Sequence, residues 1–213
     1  MELILGIYDD KTIQDGFPFF SCQGSNASAV SHERISSLYY DTAKNDLHKA
    51  GIRFSAVYTD GKLMWVLSRA GKSISAMGDA EAPERSLPTV GIFPDSRVRK
   101  IIENLIGSKP LRETIHITYD RQMAAVEIPA GGKIQAAYDK GIIIAGRKTE
   151  YISEICIKDT DTNLSGLRQV ITKMTRAIPL YAEPDSKYLR GLRLMGVPEK
   201  NKRMKLDPAV RVQ

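Results

Sequence analysis

Two cysteines, one tryptophan and three histidines in 213 residues leave several kinds of chemistry with little to work with. Cys22 and Cys156 are too few and too far apart in sequence for a disulfide framework or a CxxC metal or redox motif, and both read as free thiols. His32, His48 and His116 form no HExxH or similar metal spacing, and no GxSxG nucleophile elbow occurs. The stretch AGKSIS carries Gly71-Lys72-Ser73, the end of a phosphate-binding P-loop, but Val66 stands where the leading glycine is required. No run approaches the roughly 20 consecutive apolar residues of a membrane-spanning helix. The start MELILGIYDDK has neither the basic opening nor the apolar core of a signal peptide. The expectation is a cytoplasmic protein without membrane contact.

What is present is a positive balance: 31 Lys and Arg against 25 Asp and Glu, a formal charge of +6 and a pI near 9.2. Such a balance favours anionic partners, whether nucleic acid, a membrane face or a small phosphate compound. Part of the excess sits in Lys200, Lys202, Arg203 and Lys205, which read as a solvated tail rather than a nucleic-acid contact.

Strand signals dominate the pattern. GIRFSAVYT and KLMWVLSR flank the turn Asp60-Gly61, and HITYDRQMAAVEI, GKIQAAYD and EYISEICIK follow, most bounded by Gly, Asp or Pro. Helices are expected in DSRVRKIIENLIG, with Asp95 or Ser96 as cap and Gly107 as stop; in NLSGLRQVITKMTRA, capped by Asn163 or Ser165; and for a turn or two around SKYLRGL. FPFFSCQGSNASA reads as irregular chain leading into a strand at RISSLYYDT. Many strands and few helices predict a mainly antiparallel β protein (α+β), a closed or nearly closed tunnel or barrel of about eight strands with flanking helices. Alternate residues of each strand would face its interior. The opening MELILGI then puts Glu2, Ile4 and Gly6 on one face and Leu3, Leu5 and Ile7 on the other, and neither face is cleanly polar.

Three blocks carry a resemblance. LYYDTAKNDLHKAGI (38–52) resembles the tyrosine-aspartate-threonine signature of the CYTH family, the triphosphate tunnel metalloenzymes. AAYDKGIIIAGRKTEYISEI (136–155) and IPLYAEPDSKYLRGLRL (178–194) resemble that family's inorganic triphosphatase branch. The resemblance covers about residues 1–195 and implies an antiparallel tunnel. Its active members cleave triphosphate-containing substrates with a divalent metal. Inward Arg and Lys replace the water around a triphosphate, and carboxylates hold the metal that neutralises the transferring group.

Against that pattern the interior is thinned. The family opens with ExExK; here Glu2 fits, but Ile4 and Gly6 stand where the second acid and the lysine belong. Two inward arginines would fall at Ser55 and Val57, with Arg53 on the same face as a partial substitute. In LRETIHITYDR the expected basic positions read His116 and Thr118, with Arg121 retained. An acidic run would fall at Glu154, Cys156 and Lys158, with the lysine at Thr160; a two-residue deletion would make Lys158 the family lysine instead. Asp139 matches an inward acid, Lys187 and Arg190 match an SKxxRG block, and Arg69 lies near a strand lysine, its register open by one. The resemblance therefore implies Glu2, Asp139 and Glu154 as metal ligands. It implies Arg53, Arg69, Arg121, Lys158, Lys187 and Arg190 as phosphate ligands.

Each lost charge-assisted phosphate contact costs roughly 1.5 to 3 kcal/mol, so several losses remove orders of magnitude in rate. The first reading is thus a degenerate CYTH domain that binds inorganic triphosphate or polyphosphate with little or no hydrolysis. The alternatives are an active triphosphatase using Mg²⁺ or Mn²⁺, with Glu81 and Glu84 restoring acids, and a ligand-free scaffold for a partner. Residues 196–213 read as a linker or tail, and KNKRMKLDPAVRVQ resembles the junction into a CHAD domain, a helical polyphosphate-binding module.

Overall fold

The structure, a computed structural model, describes residues 2–8, 29–69, 72–78, 88–93, 96–127, 133–159 and 164–197. The tail from 198 on, Glu81 and Glu84, Cys22, and most of FPFFSCQGSNASA lie outside them. In chain order the elements are β1 (Glu2–Ile7), β2 (Ser31–Asp41), α1 (Asp46–Lys49), β3 (Ile52–Thr59), β4 (Lys62–Arg69) and β5 (Lys72–Gly78). A short 3₁₀ turn (Val90–Ile92) precedes α2 (Ser96–Ile106), β6 (Arg112–Glu127), β7 (Lys133–Ala145), β8 (Lys148–Asp159), α3 (Leu164–Ala177), β9 (Leu180–Ala182) and α4 (Lys187–Met195).

Among the described residues the strands form one sheet of nine, ordered β5-β4-β3-β2-β6-β7-β8-β1-β9, and every neighbouring pair is antiparallel. Among the described residues β5 and β9 are the two edges and are not paired with each other, so hydrogen bonds do not close the sheet into the expected barrel. The hairpin predicted at Asp60-Gly61 is present. Both of its central residues have positive φ, 50° and 75°, the backbone that matches strand twist in a two-residue turn.

Pairing registers sort side chains onto two faces. One face is covered by α2 and α3, and each helix presents apolar residues four apart. Val98, Ile102 and Ile106 of α2 pack on Phe54, Ala56, Trp65 and Leu67, while Val170 and Met174 of α3, followed by Ile178, pack on Leu5, Ile7, Tyr138 and Ile155. Each such buried side chain contributes about 1.5–3 kcal/mol, so these stripes hold the two helices. Gly107, at φ +60°, ends α2 as expected, whereas Ser165 falls inside α3 and is not its cap.

The opposite face carries α4, which packs on β6, β7 and β8. Tyr188 and Leu192 rest on Ile115, Ile117, Ile143 and Ile152. Gly191 allows the approach, since a Cβ there would lie 2.7 Å from Cγ2 of Ile115. Ser186 caps this helix, accepting from the Leu189 amide at 3.4 Å.

The tyrosine-aspartate-threonine stretch has a local architectural role. The buried Asp41 carboxylate accepts from the amides of Thr42 (2.7 Å), Leu47 (3.0 Å) and His48 (2.9 Å), and the Thr42 hydroxyl donates to Asp46 at 2.6 Å. These bonds wind the four-residue helix α1 between β2 and β3.

Candidate functional site

Strand parity places one set of polar groups beside α4. Arg121 is opposite Asp139 across β6 and β7, Asp139 is opposite Glu154 across β7 and β8, and Glu154 is opposite Gly6 across β8 and β1. Cys156 follows Glu154 on the same face. From above, α4 lowers Lys187 and Arg190, three residues apart and therefore on one side of the helix.

These groups form one ion-pair network. Asp139, 0% exposed, accepts from Nε of Arg121 at 2.7 Å and from its Nη2 at 2.8 Å, a two-pronged pair, and its Oδ2 also accepts from Nζ of Lys187 at 2.6 Å. Lys187 bridges onward to Oε1 of Glu154, which is 1% exposed. The buried Arg190 donates to Oε2 of Glu154 at 2.5 Å, to Glu150 at 2.6 Å and to the Tyr151 carbonyl at 3.0 Å. At the rim Arg193 pairs with Asp185 at 2.5 Å. Tyr119 lies under the network, with the Lys187 ammonium 4.6 Å and the Arg121 guanidinium 5.3 Å from its ring centre.

Protonation follows from this geometry. Burial alone would raise the Asp139 carboxyl, but the Arg121 hydrogen bonds and the Lys187 charge outweigh it and hold the group below its ordinary value. Burial works against the Lys187 ammonium, yet the charge of Asp139 raises its pKa overall. Burial pushes the Tyr119 hydroxyl up to about 12, against the lowering effect of Arg121 and Lys187, and pushes the Cys156 thiol up to about 12 as well. That thiol donates to Asp139 at 3.6 Å and Glu154 at 3.7 Å.

Asp139, Glu154 and Cys156 bring their ligand atoms within 4.8 Å of one another, a buried group of a kind that holds a divalent metal. In donor type the two carboxylates fit a hard cation. In arrangement all four of their oxygens already meet Arg121, Lys187 or Arg190.

Of the phosphate ligands expected from sequence, Arg121, Lys187 and Arg190 are thus assembled with Asp139 and Glu154. Arg53 shares their face and is half-buried, its guanidinium 4.6 Å from the centre of the Tyr188 ring, which in turn packs on Tyr39. Lys158 is on that face, two residues beyond Cys156, with an exposed side chain. Arg69 is exposed and pairs with Ile52, which puts it on the opposite face from Arg53. Glu2 stands opposite Lys158 in the pairing of β1 with β8; its side chain is outside the described set.

The emptied positions have physical occupants. A Cβ on Gly6 would lie 2.1 Å from the Tyr181 ring, so an aromatic ring takes the space of the expected lysine. Ser55 is buried on the network's face, and Val57 is on it too. His116 and Thr118 do not belong there: β6 runs unbroken against β7 from His116 to Glu127, so they point away from Arg121, and His116 bonds Ser36 at 2.9 Å. Sequence reasoning missed Glu150, the acid that holds Arg190, although its even spacing from Glu154 along β8 carried the signal.

No protein-family profile matches the chain, and no curated protein does either. Solved structures do. HpAC1 from Hippeastrum, provisionally described as an adenylyl cyclase and reported to have a dominant triphosphatase activity, superposes with a TM-score of 0.54 at 18% identity, over 90% of this chain and 94% of that one. A Bacillus halodurans protein provisionally described as an adenylate cyclase superposes at 0.51 with 13% identity, over 89% and 96%. Both superpositions run along nearly the whole of either chain, so this chain shares the fold of these two proteins.

Proposed function

We propose that the face beneath α4 binds a triphosphate-class polyanion, inorganic triphosphate or polyphosphate, with little or no hydrolysis. The observation that carries the reading is the convergence of Arg121, Lys187 and Arg190 on one face of a CYTH-type sheet. Arg121, with 26% of its side chain exposed, and Lys187, with 14%, are the two that an entering anion meets first. The fold also supports curling of the sheet into a tunnel around that anion. Slow or absent turnover follows from the uncharged positions Ile4, Gly6, Ser55 and Val57, since charge developing in phosphoryl transfer needs positioned cations.

A second reading, a metal-dependent triphosphatase, is favoured by the Asp139–Glu154–Cys156 group and by the activity reported for HpAC1. Incubation with tripolyphosphate and Mg²⁺ or Mn²⁺, following binding heat and phosphate release together, separates them. Heat without release is the expected result. Release at enzymatic rates would replace the first reading by the second, and neither signal would leave only a scaffold.

A further inference from the structure

Asp139 and Glu154 face each other across β7 and β8, the placement in which two buried acids share one divalent ion. What lies between them is an ammonium. Nζ of Lys187 is 2.6 Å from Oδ2 of Asp139 and also bonds Oε1 of Glu154, while the outer oxygens are held by Arg121 at 2.7 Å and Arg190 at 2.5 Å. The two acids that could share a metal, Asp139 and Glu154, are thus already met by three side-chain cations, Arg121, Lys187 and Arg190.

We propose that Lys187 is a resident counter-ion occupying the divalent-cation position between Asp139 and Glu154, so that anions bind this face without metal and a metal enters only when the ammonium leaves. Mg²⁺ holds oxygens at about 2.0–2.1 Å in a near-octahedral set, closer than hydrogen bonding allows, so ion and ammonium exclude each other. Lys187 is well placed for the part. It begins α4, whose Tyr188 and Leu192 anchor the helix in the apolar layer, and its ammonium lies 4.6 Å from the Tyr119 ring centre, a third favourable contact. Displacing it forfeits at least one charge-assisted bond, which lowers metal affinity by about tenfold or more.

The clause about anions rests on the proposed function; the clause about metal does not. The test uses the full chain as wild type, K187M and K187R. Free Mn²⁺ is followed by electron paramagnetic resonance, and tripolyphosphate binding by thermal shift in EDTA and in excess Mg²⁺. K187M should bind Mn²⁺ about tenfold or more tighter than wild type, K187R should behave as wild type, and the wild-type response to tripolyphosphate should persist in EDTA. Equal Mn²⁺ binding by wild type and K187M would overturn the assignment, and a response to tripolyphosphate that requires metal would overturn its anion clause. Absence of any response with or without metal would instead remove the proposed function, and the Mn²⁺ comparison would still decide on Lys187. If K187M does not fold alone, its recovery on refolding with Mn²⁺ gives the same support. Failure to recover would show that metal cannot replace the ammonium and would overturn the assignment.

Discussion

Replacing Asp139 with asparagine keeps the side chain's shape and removes one charge from the centre of the network. The carboxylate accepts two bonds from Arg121 and one from Lys187, so D139N leaves two cations short of a partner. Breaking a buried pair from one side costs about 3–5 kcal/mol. Arg121 is 26% exposed, so water recovers part of the loss and the low end, about 3 kcal/mol, is expected. At about 2–4 °C per kcal/mol for a chain of this size, the melting temperature should fall by about 6–12 °C. The pH dependence has a fixed sign. Because the folded-state pKa of Asp139 is depressed, its stabilisation is present above the unfolded value near 4 and is lost as pH falls through the lower folded value. D139N should therefore flatten the acid limb of the stability profile. Tripolyphosphate should bind the variant more tightly, since two cations are released from an internal acid. Melting curves from pH 3 to 7, with and without tripolyphosphate, measure all three effects. A variant that melts with the wild type and keeps its acid limb would refute the view that this network is a stabilising one.

Other substitutions probe separate supports. D41A removes an acceptor for three backbone amides and should cost about 2–3 kcal/mol by urea unfolding, with loss of the α1 turn visible by hydrogen exchange. G191A should cost about 1–3 kcal/mol through its clash with Ile115, and I115A should suppress part of that cost in the double variant. Alkylation by iodoacetamide at pH 8 should leave Cys156 unmodified in the native protein and modify it in urea, because the thiol is buried and its pKa is pushed up to about 12; rapid native labelling would contradict that environment.

The parts of the fold legible in the sequence are those with a strong local signal. The Asp60-Gly61 turn, the apolar spacing of α2 and the glycine that stops it each specify structure without help from distant residues. Helix α1 was not legible, since four residues have little helical tendency and the winding comes from Asp41 reaching forward to Leu47 and His48. The edge strands β5 and β9 were missed for a related reason: each takes its conformation from one neighbour. In the site, the family resemblance named Arg121, Asp139, Glu154, Lys187 and Arg190, and strand pairing with the docking of α4 brings all five to one face, whereas His116 and Arg121 differ by an odd number and cannot share a face of an unbulged strand. That lysine and arginine would pair with Asp139 and Glu154 depends on where α4 docks, which no local pattern encodes.

The positions of the network's members along the chain bear on how the molecule assembles. Arg121 and Asp139 are 18 residues apart, within one hairpin, whereas Lys187 must travel back 48 residues to Asp139 and 33 to Glu154. Closing those longer loops costs more chain entropy than closing the hairpin. Strands β6 to β8 should therefore be committed first, leaving two acids exposed on a nascent meander until the last helix arrives. In stopped-flow refolding the step that admits Lys187 would then be slowed by alkali or high salt, while the earlier one would not.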